Sequence, residues 1–120
     1  MVIQGGTNIP HEIDEKKKFL INRPATDVYA MFEGERSALN FVKRFIETRD
    51  NPKLFFESPI DGCVFIHPDT RGTEDPKFVV GKYLDRIKDL DEIPSPYLNG
   101  MLDKFFDGKL RPFIETNRGC

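Results

Sequence analysis

Three short stretches of this sequence combine residue types that could do chemistry. Gly5-Gly6, followed by Thr7, stands where a short apolar run ends, and paired glycines let a ligand or another backbone approach the main chain closely. Glu33-Gly34-Glu35 directly follows a second apolar run. Cys120 closes the sequence after a loop that carries arginine and glycine. A thiolate at that place could be an iron–sulfur ligand, a nucleophile or a free thiol.

The glycine and glutamate stretches also have ordinary structural explanations. Gly5-Gly6 is compatible with a plain turn. Glu33 and Glu35 would stabilise a helix that begins beside them, because carboxylates near a helix N-terminus favour its dipole. Residues two positions apart do not face each other, so this pair predicts no acid–base dyad. We therefore assign no catalytic residue within the chain.

The remaining candidate ligands and nucleophiles are isolated. His11 and His67 have no ligand-spaced partner, which favours surface or hydrogen-bonded histidines over metal ligands. Cys63 lies in an apolar strand pattern that is typical of a packed, inert thiol. From spacing alone, Cys120 also lacks the companion cysteines that an iron–sulfur cluster needs.

Composition indicates a soluble globular chain of one domain or pieces of two. The 120 residues carry 18 basic and 20 acidic side chains, a net charge of −2, which gives no electrostatic reason to expect a nucleic acid or an anionic membrane as partner. No apolar run approaches the roughly 20 residues of a membrane span. Two distant cysteines do not make a disulfide framework, so we expect a reduced, cytoplasmic setting.

These stretches must be positioned by strands and helices in alternation. The pattern predicts a short buried strand over residues 1–4 that Gly5-Gly6 stops, a charged helix from Glu12 to Leu20, and a strand over Val28–Phe32 covered on both faces. A long helix follows, and its apolar stripe is expected to face the core. That stripe comprises Ala38, Leu39, Phe41, Val42, Phe45 and Ile46.

In the second half of the sequence the alternation of strand and helix gives way to β segments and a proline-rich connector. Two β segments around a polar turn follow Pro59 and predict a hairpin or small meander. A stiff connector with Pro94 and Pro96 then leads to a helix, a strand at Pro112–Thr116 and the terminal loop. Tyr97, Leu98, Met101, Leu102 and Phe105 form the apolar stripe of that helix, which we also expect to face a core. Since two parallel strands do not make a stable sheet, we expect the sequence to be a piece of a longer protein.

Taken together, "IPSPYLNGMLDKFF" and "PFIETNRGC" resemble the approach to the catalytic barrel in cobalamin-binding radical S-adenosylmethionine (SAM) enzymes. In that family a "TNRGC"-like loop opens a C-x-x-x-C-x-x-C cluster motif, and Cys120 matches its first cysteine. "VIQGG" and "DVYAMFEGERSALNFV" resemble the late strands and last helix of the family's cobalamin domain, and "IDGCVFIHPD" resembles the small β element that precedes the connector. The strands that carry an axial-ligand motif in some relatives have no counterpart here.

The resemblance implies a fold, cofactors and site residues. The implied α/β fold has the C-terminal part of a Rossmann-like cobalamin domain (residues 1–52), a β hairpin with a proline-rich connector (53–95), and a helix with the first strand of a TIM-like barrel (96–120). Gly5, Gly6, Thr7, Glu33, Gly34 and Glu35 would line the cobalamin, and Cys120 would ligate a 4Fe-4S cluster that holds SAM. Asn117, Arg118 and Gly119 would shape the cluster loop.

The implied parent enzyme cleaves SAM reductively to a 5′-deoxyadenosyl radical and transfers methyl groups, or does related radical chemistry, on an unknown small-molecule or biopolymer substrate. It would use an external electron donor, and this piece alone is expected to be inactive. Two other functions fit the residues. One is a small α/β module that binds a nucleotide or a partner, with Cys120 incidental, and the other is a structural piece without a site.

Overall fold

A mixed four-stranded sheet organises the first 86 residues. The computed structural model describes residues 1–111 and 113, and the chain divides into two units, Met1–Arg86 and Ile87–Cys120. The first unit contains β1 (Ile3–Gly6), α1 (Ile13–Ile21), β2 (Val28–Met31), α2 (Gly34–Glu47), β3 (Cys63–Ile66) and β4 (Phe78–Val80), with 3-10 turns at Pro52–Phe56 and Pro68–Thr70.

The sheet combines a parallel pair with an antiparallel hairpin, in the order β1-β2-β3-β4. β1 and β2 run parallel, with Ile3 opposite Val28 and Gly6 opposite Met31. β3 pairs antiparallel with both β2 and β4. The α/β class is therefore confirmed. The sequence did not predict that the hairpin would continue the sheet of the first two strands, and its Rossmann-like and barrel assignments stay predictions.

The core lies on both faces of the two central strands. Every residue of β2 and β3 is buried, because α1 covers one face while α2 and the turn at Pro52–Phe56 cover the other. This explains why both strands are continuously apolar rather than alternating. The buried cluster on the α1 side comprises Ile9, Leu20, Tyr29, Met31, Val64 and Ile66. That on the α2 side comprises Val28, Ala30, Phe55, Ile60, Cys63, Phe65 and Val79.

The first strand differs from its prediction in burial and in length. Val2 and Ile3 are 47% and 37% exposed, so the strand is not buried. Among the described residues, β1 pairs with β2 alone and forms the edge of the sheet. Gly5 and Gly6 do not stop the strand either. They extend the parallel ladder, opposite Ala30 and Met31.

The apolar stripe of α2 does not face the core as predicted. Leu39, Val42, Phe45 and Ile46 are each about half exposed, and only Phe41 of the stripe packs against the buried cluster. The orientation of the helix is instead fixed by polar contacts to the segment before β3. The Asn40 amide donates to the Asp61 carbonyl at 3.1 Å, and Arg44 donates to the Phe55 carbonyl at 3.3 Å and to Ser58 Oγ at 2.9 Å.

The second unit contains no α-helix within residues 87–111 and 113. The predicted helix from Pro96 is replaced by turns and a 3-10 segment at Asp103–Phe105, with another 3-10 segment at Leu90–Glu92. Gly100 has a φ of 77°, which a helix does not accommodate, and Leu98 is 91% exposed. A short helix without a packing surface is marginal. The strand predicted at Pro112–Thr116 lies, apart from Phe113, outside the described residues.

Candidate functional site

The two candidate ligand-binding stretches of the first unit, Gly5-Gly6-Thr7 and Glu33-Gly34-Glu35, meet at one edge of the sheet. β1 and β2 are parallel and in register, with Gly6 opposite Met31. The residues that follow each strand, Thr7 and Phe32, therefore leave the sheet side by side at its carboxyl edge, and Glu33-Gly34-Glu35 follows at once. Ligands of open α/β sheets bind at this edge.

The two glycines of β1 do different things at this edge. A Cβ on Gly5 would lie 3.2 Å from the carbonyl oxygen of Ala30 and 3.3 Å from the Ala30 Cβ, so Gly5 allows the two strands to pack closely. Gly6 has a φ of 122°, and a Cβ there would meet no heavy atom within 4 Å. The backbone at Gly6 is thus open to an approaching molecule. Gly34, at the start of α2, faces open space in the same way.

Phe32 bends the chain between β2 and α2. Its φ is 57°, a left-handed conformation that costs a non-glycine residue about 1–2 kcal/mol. Its ring is held by two others. The His11 ring stacks on it with 5.8 Å between centroids, and the Tyr83 ring lies 6.1 Å away. These ring contacts help to hold Phe32 in its unusual conformation.

A buried lysine lies within this aromatic group. Lys16 of α1 is 0% exposed. Its Nζ donates to the His11 carbonyl and lies 5.3 Å from the centroid of the Tyr83 ring. Burial of an ammonium costs several kcal/mol unless its charge is compensated, and here a carbonyl and an aromatic face provide the compensation. We call His11, Lys16, Phe32 and Tyr83 the edge cluster.

The glutamates open α2 beside the edge cluster. Glu33 is the residue before the helix and Glu35 lies in its first turn, where carboxylates favour the helix dipole. Glu33 Oε1 also accepts from Arg86 Nε at 3.2 Å. This pair ties the start of α2 to the segment that follows β4 and that carries Tyr83.

Three residues of this edge are not apparent from the sequence: Lys16, Tyr83 and Arg86. Lys16 stands in a run of three lysines, and no pattern distinguishes it from the half-buried Lys17 and the exposed Lys18. Tyr83 and Arg86 follow β4 and come to this edge only because the hairpin continues the sheet. A prediction of the β2–β3 pairing would have been needed to find them.

The remaining sequence candidates in the described residues do not form a site. Burial, and after it the negative charge of Asp61, raises the pKa of the Cys63 thiol to about 12, which fits the inert thiol that was predicted. His67 precedes the 3-10 turn at Pro68–Thr70. Within residues 1–111 and 113, no three His, Cys, Asp or Glu side chains are grouped so that they could hold a metal ion.

The proposed cluster ligand Cys120 and the loop residues Asn117, Arg118 and Gly119 lie outside the described residues. In the described part of the chain, no helix has the length and apolar character that a membrane span requires.

Comparison with known proteins gives two curated relatives. The chain is 33% identical to the cobalamin-dependent radical SAM methyltransferase TokK of Streptomyces tokunonensis. It is 32% identical to the 2-(S-pantetheinyl)-carbapenam-3-carboxylate methyltransferase of Streptantibioticus cattleyicolor. Both alignments cover the whole chain but only 16% of the relative's length. No profile of a known family matches the chain, and no solved structure does.

These similarities confirm the resemblance that the sequence motifs indicated. Both relatives are methyltransferases by name, and one name states cobalamin dependence and radical SAM chemistry. The chain is thus consistent with a piece of that family of enzymes.

Proposed function

We propose that this chain is part of a cobalamin-dependent radical SAM methyltransferase and that the carboxyl edge of β1 and β2 lines the cobalamin. The observation that carries the proposal is similarity along the whole chain to two methyltransferases, one of them named for this chemistry. The parent protein's reaction, and its use of SAM and of an external electron donor, belong to the proposal, because the chain spans only 16% of these relatives.

The described residues at the edge fit a large, flat ligand. The backbone at Gly6 and Gly34 faces open space, so an extended molecule can lie against the main chain there without meeting a side chain. Gly5, Gly6, Thr7, Glu33, Gly34 and Glu35 are the residues we assign to this surface. Gly5 contributes indirectly, by allowing β1 to pack against Ala30.

The chain's own residues shape and support this surface. When bound, cobalamin supplies a cobalt centre that can carry a methyl group between donor and substrate. The edge cluster supports this edge, since the rings of His11 and Tyr83 pack on Phe32. Lys16 holds the His11 carbonyl and so fixes the loop that follows Gly6. Arg86 holds Glu33 and so fixes the start of α2.

We assign Cys120 as one ligand of the 4Fe-4S cluster in the parent protein. Cys63 does not fit that role, because it is fully buried and its thiol pKa is raised to about 12, whereas a cluster ligand must be an accessible thiolate. Substitution of Cys63 is therefore the matched control for substitution of Cys120.

The test uses the longer protein that contains these residues, purified without oxygen. Cys120→Ala is expected to abolish cluster binding, measured as iron and sulfide per protein and as visible absorption. Cys63→Ala keeps the cluster, because that thiol lies in the core on the α2 side. Retention of iron and sulfide in Cys120→Ala would refute the cluster assignment. A coding sequence without two cysteines at offsets four and seven from Cys120 would refute it as well.

A further inference from the structure

The helix α2 presents apolar side chains to solvent rather than to the core. A surface helix of a globular protein normally turns its apolar stripe inward. In α2 four large apolar side chains, which we call the outer stripe, are each about half exposed: Leu39, Val42, Phe45 and Ile46. Together they amount to roughly 400 Å² of apolar surface, the size of the patches that mark interaction sites.

The polar side of α2 holds the helix in this orientation. Ser37 is 1% exposed, and a Cβ on Gly62 would overlap its Oγ, so α2 approaches the start of β3 closely at this point. Two turns later, Arg44 donates to the Phe55 carbonyl at 3.3 Å and to Ser58 Oγ at 2.9 Å. Rotation of the outer stripe toward the core would break these hydrogen bonds and force a larger side chain against Gly62. The outer stripe is therefore exposed because the sequence specifies this orientation.

The spacing of the outer stripe fits the apolar side of another helix. Leu39, Val42 and Ile46 lie at i, i+3 and i+7, the narrow seam along which two helices interlock their side chains. α2 is 14 residues long, or about 21 Å, and the seam occupies its central turns. An amphipathic helix with the same spacing would therefore cover it.

The area of the outer stripe distinguishes a second copy of the chain from another part of the same polypeptide. A stable interface between two proteins buries about 800 Å² on each partner, roughly twice what the outer stripe offers. A contact within one polypeptide does not lose the translational and rotational freedom that association costs, so a smaller area suffices. The alignments cover only 16% of each methyltransferase, so most of each relative's length lies outside the part that matches this chain.

We propose that an amphipathic helix from another part of the parent protein packs on the outer stripe, with its apolar seam against Leu39, Val42 and Ile46. The inference rests on the proposed function only in taking the chain as part of a longer protein, and it involves no cofactor. Because α2 begins beside the candidate cofactor surface, at Gly34, this contact would fix that surface relative to the rest of the parent protein.

The test measures maleimide labelling of single cysteines introduced on α2 of the longer protein, purified without oxygen. Val42→Cys probes the seam, and Leu39→Cys is a second probe one turn earlier. Glu47→Cys is the control, because Glu47 is exposed and lies about 140° around the helix from Val42. Trypsin cleaves after Lys43 and Arg44, so mass spectrometry reads the probe and control positions on separate peptides, apart from every other cysteine.

We expect Val42→Cys and Leu39→Cys to label at least about tenfold more slowly than Glu47→Cys in the longer protein, because a covered thiol is inaccessible. In the 120-residue chain the three variants should label at similar rates. Equal rates in the longer protein, or slow labelling of both probes already in the 120-residue chain, overturn the proposal. Protection that is lost when the longer protein is diluted also overturns it, because a second copy would then be the cover.

The labelling result is independent of the cofactor assignments. A longer protein that protects Val42→Cys and binds no cobalamin would refute the proposed function and support this inference. One that binds cobalamin and leaves Val42→Cys as reactive as Glu47→Cys would do the opposite.

Discussion

Gly81→Ala is expected to disrupt the hairpin that brings Tyr83 and Arg86 to the candidate cofactor surface. A Cβ at Gly81 would lie 1.8 Å from the carbonyl oxygen of Ile60 and 3.0 Å from that of Cys63. Both are backbone atoms that cannot rotate away. The two segments would have to separate by about 1.5 Å to restore ordinary van der Waals contact.

That separation breaks the hydrogen bonds that flank the contact. Gly81 N donates to the Cys63 carbonyl at 2.8 Å, and Gly62 N donates to the Lys82 carbonyl at 2.8 Å. Each bond contributes about 1 kcal/mol net, and looser packing of the buried Ile60 and Cys63 adds a similar amount. We therefore expect Gly81→Ala to lower the free energy of unfolding by about 3–4 kcal/mol.

Gly72→Ala is the matched control, because Gly72 lies in the same hairpin. It has a φ of 81°, but a Cβ there would meet no heavy atom within 4 Å. Gly72→Ala therefore adds backbone strain, which Gly81→Ala does not, but no clash, and should cost about 1–2 kcal/mol. Urea unfolding followed by far-ultraviolet circular dichroism gives both values. The reasoning fails if Gly81→Ala costs no more than Gly72→Ala.

Three other predictions test the core and its titratable groups. Lys16→Ala should lower the free energy of unfolding by about 3 kcal/mol, because it leaves a cavity and removes the donor to the His11 carbonyl. Lys18→Ala, at an exposed position, should change that free energy by under about 0.5 kcal/mol. Equal urea midpoints for the two variants would contradict the burial of Lys16. Phe45→Glu should cost less than about 1 kcal/mol because Phe45 is half exposed, and Phe55→Ala should cost about 4 kcal/mol because Phe55 is 1% exposed. The reverse order in urea unfolding would restore the core role predicted for the α2 stripe. Folding raises the pKa of Cys63 from 9.0 to about 12, so the unfolded chain loses the thiol proton first and stability should fall as pH rises through that interval. In a Cys120→Ser background, a Cys63→Ala variant should lack this part of the pH dependence, and identical pH profiles would show that Cys63 is not protected.

The elements that depend on local pattern could be predicted from the sequence. β2 is recognisable because a strand covered on both faces is apolar at every position, as Val28–Met31 is. α2 is recognisable from the helical spacing of its apolar residues, whereas α1 is predicted only as a short charged helix after a loop. The placement of Gly5-Gly6 and Glu33-Gly34-Glu35 at one edge follows from the parallel pairing of β1 with β2, which the alternation of strand and helix predicts.

Features set by distant contacts could not be predicted. Periodicity shows that α2 has an apolar stripe but not which face points inward. Asn40 and Arg44 fix that face by binding carbonyls of the irregular segment before β3, and long polar side chains of this kind are normally assigned to the surface. Lys16 is a similar case, since the ring of Tyr83, distant along the chain, and the His11 carbonyl make its burial tolerable.

The most direct test of the central claim is cobalamin binding by Gly34→Leu in the longer protein that contains this chain. Gly34 begins α2, has an ordinary φ and faces open space, so leucine should leave the melting temperature unchanged or slightly higher. Lys43→Leu, at an exposed position on the same helix, controls for added apolar surface. We expect hydroxocobalamin affinity, measured by absorption, to fall at least about tenfold in Gly34→Leu and to stay unchanged in Lys43→Leu. If Gly34→Leu binds hydroxocobalamin as tightly as the wild type, cobalamin does not lie on this edge.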